Sequence, residues 1–136
     1  MGRGEAGAGI LGTVLGAGVF LLLLLFAVQV LVGLYATSVV TAATYDAAKS
    51  VAGADLAATP LAQADAERTA QAQLGDYGRR VTFEWGKVDE DGDGLPDAVL
   101  LRARAPRPSF LPQSLLGGVG LGDIQRTVRV RLERLR

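Results

Sequence analysis

The chain contains no cysteine and no histidine. The first absence removes thiolate catalysis and disulfide scaffolding. The second removes every imidazole acid, base or ligand, so most zinc sites and all His-centred catalytic arrangements are excluded with it. Neither sign of charge dominates either: 14 basic and 14 acidic residues cancel, which argues against a strongly electrostatic partner such as bulk nucleic acid. A more telling absence is local. Residues 6–45 run for forty positions without one charged side chain, and the central stretch VFLLLLLFAVQVLV holds a single polar residue, Gln29.

As a helix, that uncharged run would be about 60 Å long, roughly twice the hydrocarbon thickness of a bilayer. It is long enough to cross a membrane and continue beyond it. Residues 1–9 are expected as a cytoplasmic leader, 10–35 as the transmembrane helix and 36–54 as a helical stalk, with one continuous rod from about Ile10 to about Ala52. The apolar region exceeds the ~7–15 residues of a secretory signal, which favours a retained anchor, although Thr41-Ala42-Ala43 imitates a small-residue cleavage site. Arg3, Glu5 and the α-amino group leave the first flank at about +1, whereas Asp46, Lys49 and Asp55 make the far flank negative. A single-pass protein of the cell membrane follows, with a cytoplasmic N-terminus and an extracytoplasmic head. Ala8, Gly12 and Gly16 recur every four residues, a small-residue stripe suited to close helix packing in lipid and equally compatible with a Gly- and Ala-rich composition. Past Tyr35, Thr37, Thr41 and Thr44 form one helical stripe and Val39, Ala43, Ala47 and Val51 another, with Gly53 as a stop.

Residues 55–136 read as a small α+β head. Thr59-Pro60 is a helix start, and Gly75 ends the Ala-rich helix expected over 60–74, whose Asp65, Glu67 and Arg68 read as a solvated face. The period then changes to two. Val81, Phe83 and Trp85 alternate with Thr82 and Glu84; Val99, Leu101, Ala103 and Ala105 alternate with Leu100, Arg102 and Arg104; Val128, Val130 and Leu132 alternate with Arg129, Arg131 and Glu133. Strands near 80–88, 98–105 and 126–133 make a three-stranded antiparallel sheet with arginine on its outer face. Because Phe83 and Trp85 belong to the inner face, the arginines lack exposed aromatics for stacking, and no nucleic-acid partner is expected. Residues 46–97 carry eleven acidic and five basic side chains and residues 98–136 two and eight, a division expected to pair within the head. Residues 106–123, with three prolines and four glycines, are expected as an irregular loop that hides Phe110, Leu111, Leu115, Leu116, Val119 and Leu121 over the core edge, the alternative being contact with the membrane or a neighbouring subunit.

The loop between the first two strands is acidic. Asp89, Asp91, Asp93 and Asp97 take positions 1, 3, 5 and 9 of a calcium loop, Gly94 takes position 6, and the Leu95 carbonyl position 7. Position 12 is Leu100 where the bidentate Glu would be, and strands flank the loop, so it is no EF-hand. It resembles the Asp-x-Asp-Gly-Asp-Gly-x-x-Asp motif of thrombospondin type 3 repeats, in one copy. The metal ligands expected are Asp89, Asp91, Asp93, Leu95 and Asp97, holding a structural calcium at ~10⁻⁴–10⁻³ M affinity. The competing reading is an Asp/Gly hairpin turn.

The order of parts resembles TadE-like proteins, pilin-like minor components of the tight-adherence (Flp-type) pilus system. The likeness rests on Arg3-Gly4, the Leu21–Leu25 core and the stretch VTAATYDAAKSVAGA, and it covers nearly the whole chain in layout. It implies partners among pilus or secretion-system subunits, reached through the N-terminal helix, and prepilin-peptidase processing with Gly4 as the candidate site. Substrates of that peptidase usually carry Glu as the fifth residue after the cut; here that residue is Gly9, and Glu5 stands first. An enzyme would need paired carboxylates or a Ser/Lys arrangement across a pocket, whereas the acids here gather in one turn, so neither catalysis nor a small-molecule substrate is expected. The alternative to a pilin-like subunit is a single-pass, calcium-stabilised binding or adhesion module unrelated to pili.

Overall fold

No proline interrupts the uncharged run, and the computed structural model, which describes residues 3–53, 59–110 and 122–132, forms it into one α-helix, α1, Arg3–Ala52. Of residues 3–6 and 8 only the backbone is described. The helix starts seven residues before Ile10, since no proline in residues 3–9 breaks its backward continuation. It ends where the Gly53 N–H donates to the Lys49 carbonyl (3.0 Å). The threonines beyond Tyr35 do not form a polar face. Thr37, Thr41 and Thr44 each donate to the carbonyl four residues back (2.8, 2.7 and 2.6 Å), so their hydroxyls need no water and Thr44 is fully buried.

The second helix, α2 (Pro60–Gln73), begins as the sequence dictates. Thr59 accepts from the Ala62 N–H (3.3 Å), and Pro60 stands at the first turn. Leu74 caps it, and Gly75, at φ +60°, redirects the chain into a 3-10 turn over Gly75–Arg80 that periodicity did not announce. Gly78 in that turn lies against the Gln71 carbonyl so closely that a Cβ would overlap it.

Strands β1 (Thr82–Val88), β2 (Ala98–Ala105) and β3 (Ile124–Arg131) form an antiparallel sheet in the order β1-β2-β3. The fold is therefore α+β, with a long apolar helix, a short second helix and a three-stranded sheet. Leu101 lies opposite Trp85 on one side and Val128 on the other. Strand β3 begins two residues earlier than the alternation suggested, because Ile124 pairs with Ala105 and is buried, while Gln125, Arg126 and Thr127 are all exposed.

The inner face of β2 (Val99, Leu101, Ala103, Ala105) packs with Ala66 and Ala70 of α2 and with Val40, Ala43, Ala47, Ala48 and Val51 of α1 in one core. The buried stripe on α1 contains Ala43, Ala47 and Val51 of the expected one, with Val39 half-buried at its edge. It runs Gln29, Gly33, Ala36, Val40, then Ala43 with Thr44, Ala47 with Ala48, and Val51, the three-to-four spacing of a helix face. The head thus covers one side of the helix from Gln29 onward, within the stretch expected to span the membrane, and α1 completes the core of the head. Glu67, expected in solvent, accepts the Trp85 indole N–H and ties α2 to β1.

Leu111, Leu115, Leu116, Val119 and Leu121 of the covering loop lie outside the described residues, as do residues 54–58 and 133–136. Phe110 is described, and it is exposed.

Candidate functional site

Two features carry candidate functional residues: the β1–β2 loop and the free half of α1. In the loop, Gly92 (φ +75°) and Gly94 (φ +82°) adopt the left-handed backbone that lets the chain turn back on itself. The carboxylates are turned inward onto the backbone they sit on. Asp89 accepts from the N–H groups of Gly92 (2.8 Å) and Gly94 (2.9 Å), Asp91 from Asp93 (3.3 Å), Asp93 from Leu95 (2.8 Å) and Asp97 from Glu90 (2.8 Å). The ends are held by the sheet: the Asp97 N–H donates to Val88, and the Asp97 carbonyl accepts from Leu132 (both 2.8 Å). Glu90 turns away and pairs with Arg129 and with Arg131 (3.3 Å), so part of the acidic segment is neutralised by the basic one, as its charge division suggested.

The winding brings one carboxylate oxygen each from Asp89, Asp91 and Asp97 within 4.8 Å of one another, an exposed three-carboxylate cluster able to hold a metal ion. Of the four expected carboxylate ligands, Asp93 is not in that cluster; it accepts the Leu95 N–H. The Asp93 N–H lowers the pKa of Asp91, but desolvation, the charges of Asp93 and Asp97 and the hydrogen bond with Asp89 outweigh it, and the net shift is upward from 3.8. A carboxyl pushed upward by like-charged neighbours is relieved by a bound cation.

On α1, every residue from 9 to 28 is exposed, Ile10, Leu11, Val14 and Leu15 among them at 68–75%. Gly12 and Gly16 meet nothing within 4 Å of an added Cβ, which leaves their face of the helix open to a second helix. The side chain of Ala8 is outside the described residues, and Gly4 lies in the described backbone of α1.

Sequence reasoning noted Gln29 as the sole polar residue of the apolar core but missed its role. Its side chain is 3% exposed; its Nε2 donates to the Pro108 carbonyl (2.7 Å) and its Oε1 accepts the Phe110 N–H (3.0 Å). Two residues earlier in that segment the Tyr77 hydroxyl donates to the Pro106 carbonyl (2.6 Å). Burial pushes the Tyr77 pKa up against the opposing pull of Arg80 and Arg107, with Asp123 adding to the rise. The signal that could have found the clamp is that one amide among so many apolar side chains demands a buried partner. Against this geometry the comparisons are silent: the chain matches no family model, no curated protein and no solved structure.

Proposed function

We propose that this protein is a membrane-anchored, pilin-like minor subunit of a pilus or secretion assembly, of the TadE-like kind, with a cytoplasmic N-terminus and an extracytoplasmic head. The observation that supports it is the division of labour along one 50-residue helix: residues 9–28 are bare and apolar, while from Gln29 the same helix is built into the core of the head. Such a helix packs laterally against other helices in the bilayer and displays a rigid head outside. It does structural work and carries no catalytic step. The chain has no cysteine, so a single Thr13→Cys substitution beside Gly12 and Gly16 reports neighbours without background. Cross-linking in native membranes is expected to capture pilus or secretion-system subunits, and adding Gly12→Leu and Gly16→Leu should abolish the adducts. Adducts with unrelated proteins, or adducts unaffected by the leucines, would overturn the reading.

A second reading, a calcium-stabilised binding module, is favoured by the Asp89, Asp91 and Asp97 cluster. With Kd of ~10⁻⁴–10⁻³ M, calcium at about 10 mM is expected to stabilise the detergent-solubilised full chain by about 1.4–2.7 kcal/mol, read as a rise in Tm. Asp91→Asn should reduce the shift. The raised Asp91 pKa adds stability below its ordinary 3.8 that is lost as pH rises through the raised value, and calcium replaces the proton there. The calcium shift should accordingly shrink on acidification toward that window. Equal melting of both chains with and without calcium would remove the metal from the account.

A further inference from the structure

The bare part of α1 has a definite length. Residues 9–28 are twenty in number and exposed on every side, and at 1.5 Å per residue they measure about 30 Å, the thickness of the hydrocarbon core. The next residue, Gln29, is where the head begins. Residues 107–110 are drawn against the helix there by the two Gln29 hydrogen bonds. One turn further on, the Arg107 guanidinium lies so near Gly33 that a Cβ there would stand 3.1 Å from Nη1. An arginine and a stretch of non-helical backbone are both costly in hydrocarbon. With residues 9–28 in the bilayer, its boundary falls at the level of Gln29, and the segment 107–110 lies on that boundary.

The side chains at this level fit an interface. The Phe110 ring is 67% exposed beside the point where its own N–H is fixed on Gln29. Among the described residues Arg107 makes no ion pair, and its Nε donates there to the Gly122 carbonyl (3.4 Å). Tyr35, 71% exposed, stands about 9 Å above Gln29 along the helix, in the headgroup zone where tyrosines gather.

We infer that the base of the head is a lipid-docking surface: the Gln29 clamp sets Phe110 into the headgroup/acyl boundary and Arg107 at the level of the lipid phosphates, so the head rests on the membrane. This rests on the reading of α1 as a membrane span. The partner is a phospholipid surface, recognised by one aromatic wedge and one guanidinium.

The test uses the full chain, whose lack of cysteine permits single nitroxide labels at Phe20→Cys, Phe110→Cys and Tyr45→Cys. All three replace exposed side chains. After reconstitution into phosphatidylcholine/phosphatidylglycerol vesicles, each label's depth is read from its accessibility to oxygen against a water-soluble nickel complex. The label at 20 is expected deep in the hydrocarbon, the label at 45 in water, and the label at 110 within about 5–10 Å of the headgroup/acyl boundary. A label at 110 as aqueous as that at 45, with 20 deep, overturns the docking surface and leaves the membrane span standing. A label at 20 that is itself aqueous overturns the span, and the docking surface with it.

Discussion

Leu101→Ala is expected to destabilise the head by about 2–5 kcal/mol, the range for truncating a buried leucine that its surroundings cannot refill. Leu101 is fully buried and central in every direction. It lies on the middle strand between Trp85 and Val128, on the face that shares a core with α1 and α2. Few neighbours can move in to fill the gap, because much of the facing helix surface is alanine, whose side chain cannot extend. For a folding unit of this size the loss corresponds to a fall in Tm of at least about 8 °C. Trp85 is the only tryptophan, so its fluorescence in the detergent-solubilised full chain follows the sheet directly. Arg102→Ala, one residue on and exposed on the outer face, should stay within about 0.5 kcal/mol of the parent. Similar losses for both would mean that the core does not lie where the alternation of β2 puts it. The full chain matters for this measurement. A fragment starting after Gly53 would lack Val40, Ala43, Ala47, Ala48 and Val51, and with them the opposite wall of the core.

That shared core also explains which parts of the fold were legible in the sequence. Strand β2 was legible because Val99, Leu101, Ala103 and Ala105 alternate with larger or charged neighbours, and a half-buried strand imposes that contrast. Helix α2 was legible because Thr59 and Pro60 are chemical start signals. The buried face of α1 was legible only in part: Ala43, Ala47 and Val51 were read as one stripe, but its continuation down to Ala36 and Gln29 was not, because a run without charges offers no polar side to contrast with a buried one. Its threonines misled for the same reason: a hydroxyl bonded to the carbonyl four residues back is as much at home inside as outside, and Thr44 is inside. Glu67 is chemically indistinguishable from its solvated neighbours until the fold brings Trp85 to it.

The acidic loop was half legible. Its spacing of two foretold only the convergence of Asp89 and Asp91; the third carboxylate of the cluster is Asp97, brought back by the turn, and not Asp93. The spacing did not foretell that the same carboxylates would cap the turn's own N–H groups, which makes the hairpin and the metal readings compatible instead of exclusive. A carboxylate has two oxygens with about four acceptor positions, enough to hold a backbone N–H and still face a cation.

Gln29→Leu is expected to open the contact between residues 107–110 and α1 while leaving the sheet folded. The substitution is close in volume and improves the apolar match of the helix, so α1 itself gains. The loss falls on the Pro108 carbonyl and the Phe110 N–H, each left without its partner at about 1–3 kcal/mol. The pair together is worth about 2–6 kcal/mol, so exchange of the Phe110 amide should quicken by at least about 30-fold. Chymotrypsin should also cleave after Phe110 faster than in the parent. Gln29→Met, unbranched and close to glutamine in length, removes both bonds as leucine does, so its exchange rate should match that of the leucine variant. The Trp85 unfolding transition should move little in either variant, since Gln29 is outside the core cluster that holds the sheet. Unchanged exchange at Phe110 in Gln29→Leu would show that the segment is held by Tyr77 at Pro106 instead. A shift in exchange without a shift in sheet stability would show that a lone polar residue in an apolar run fixes how far down the helix the head reaches.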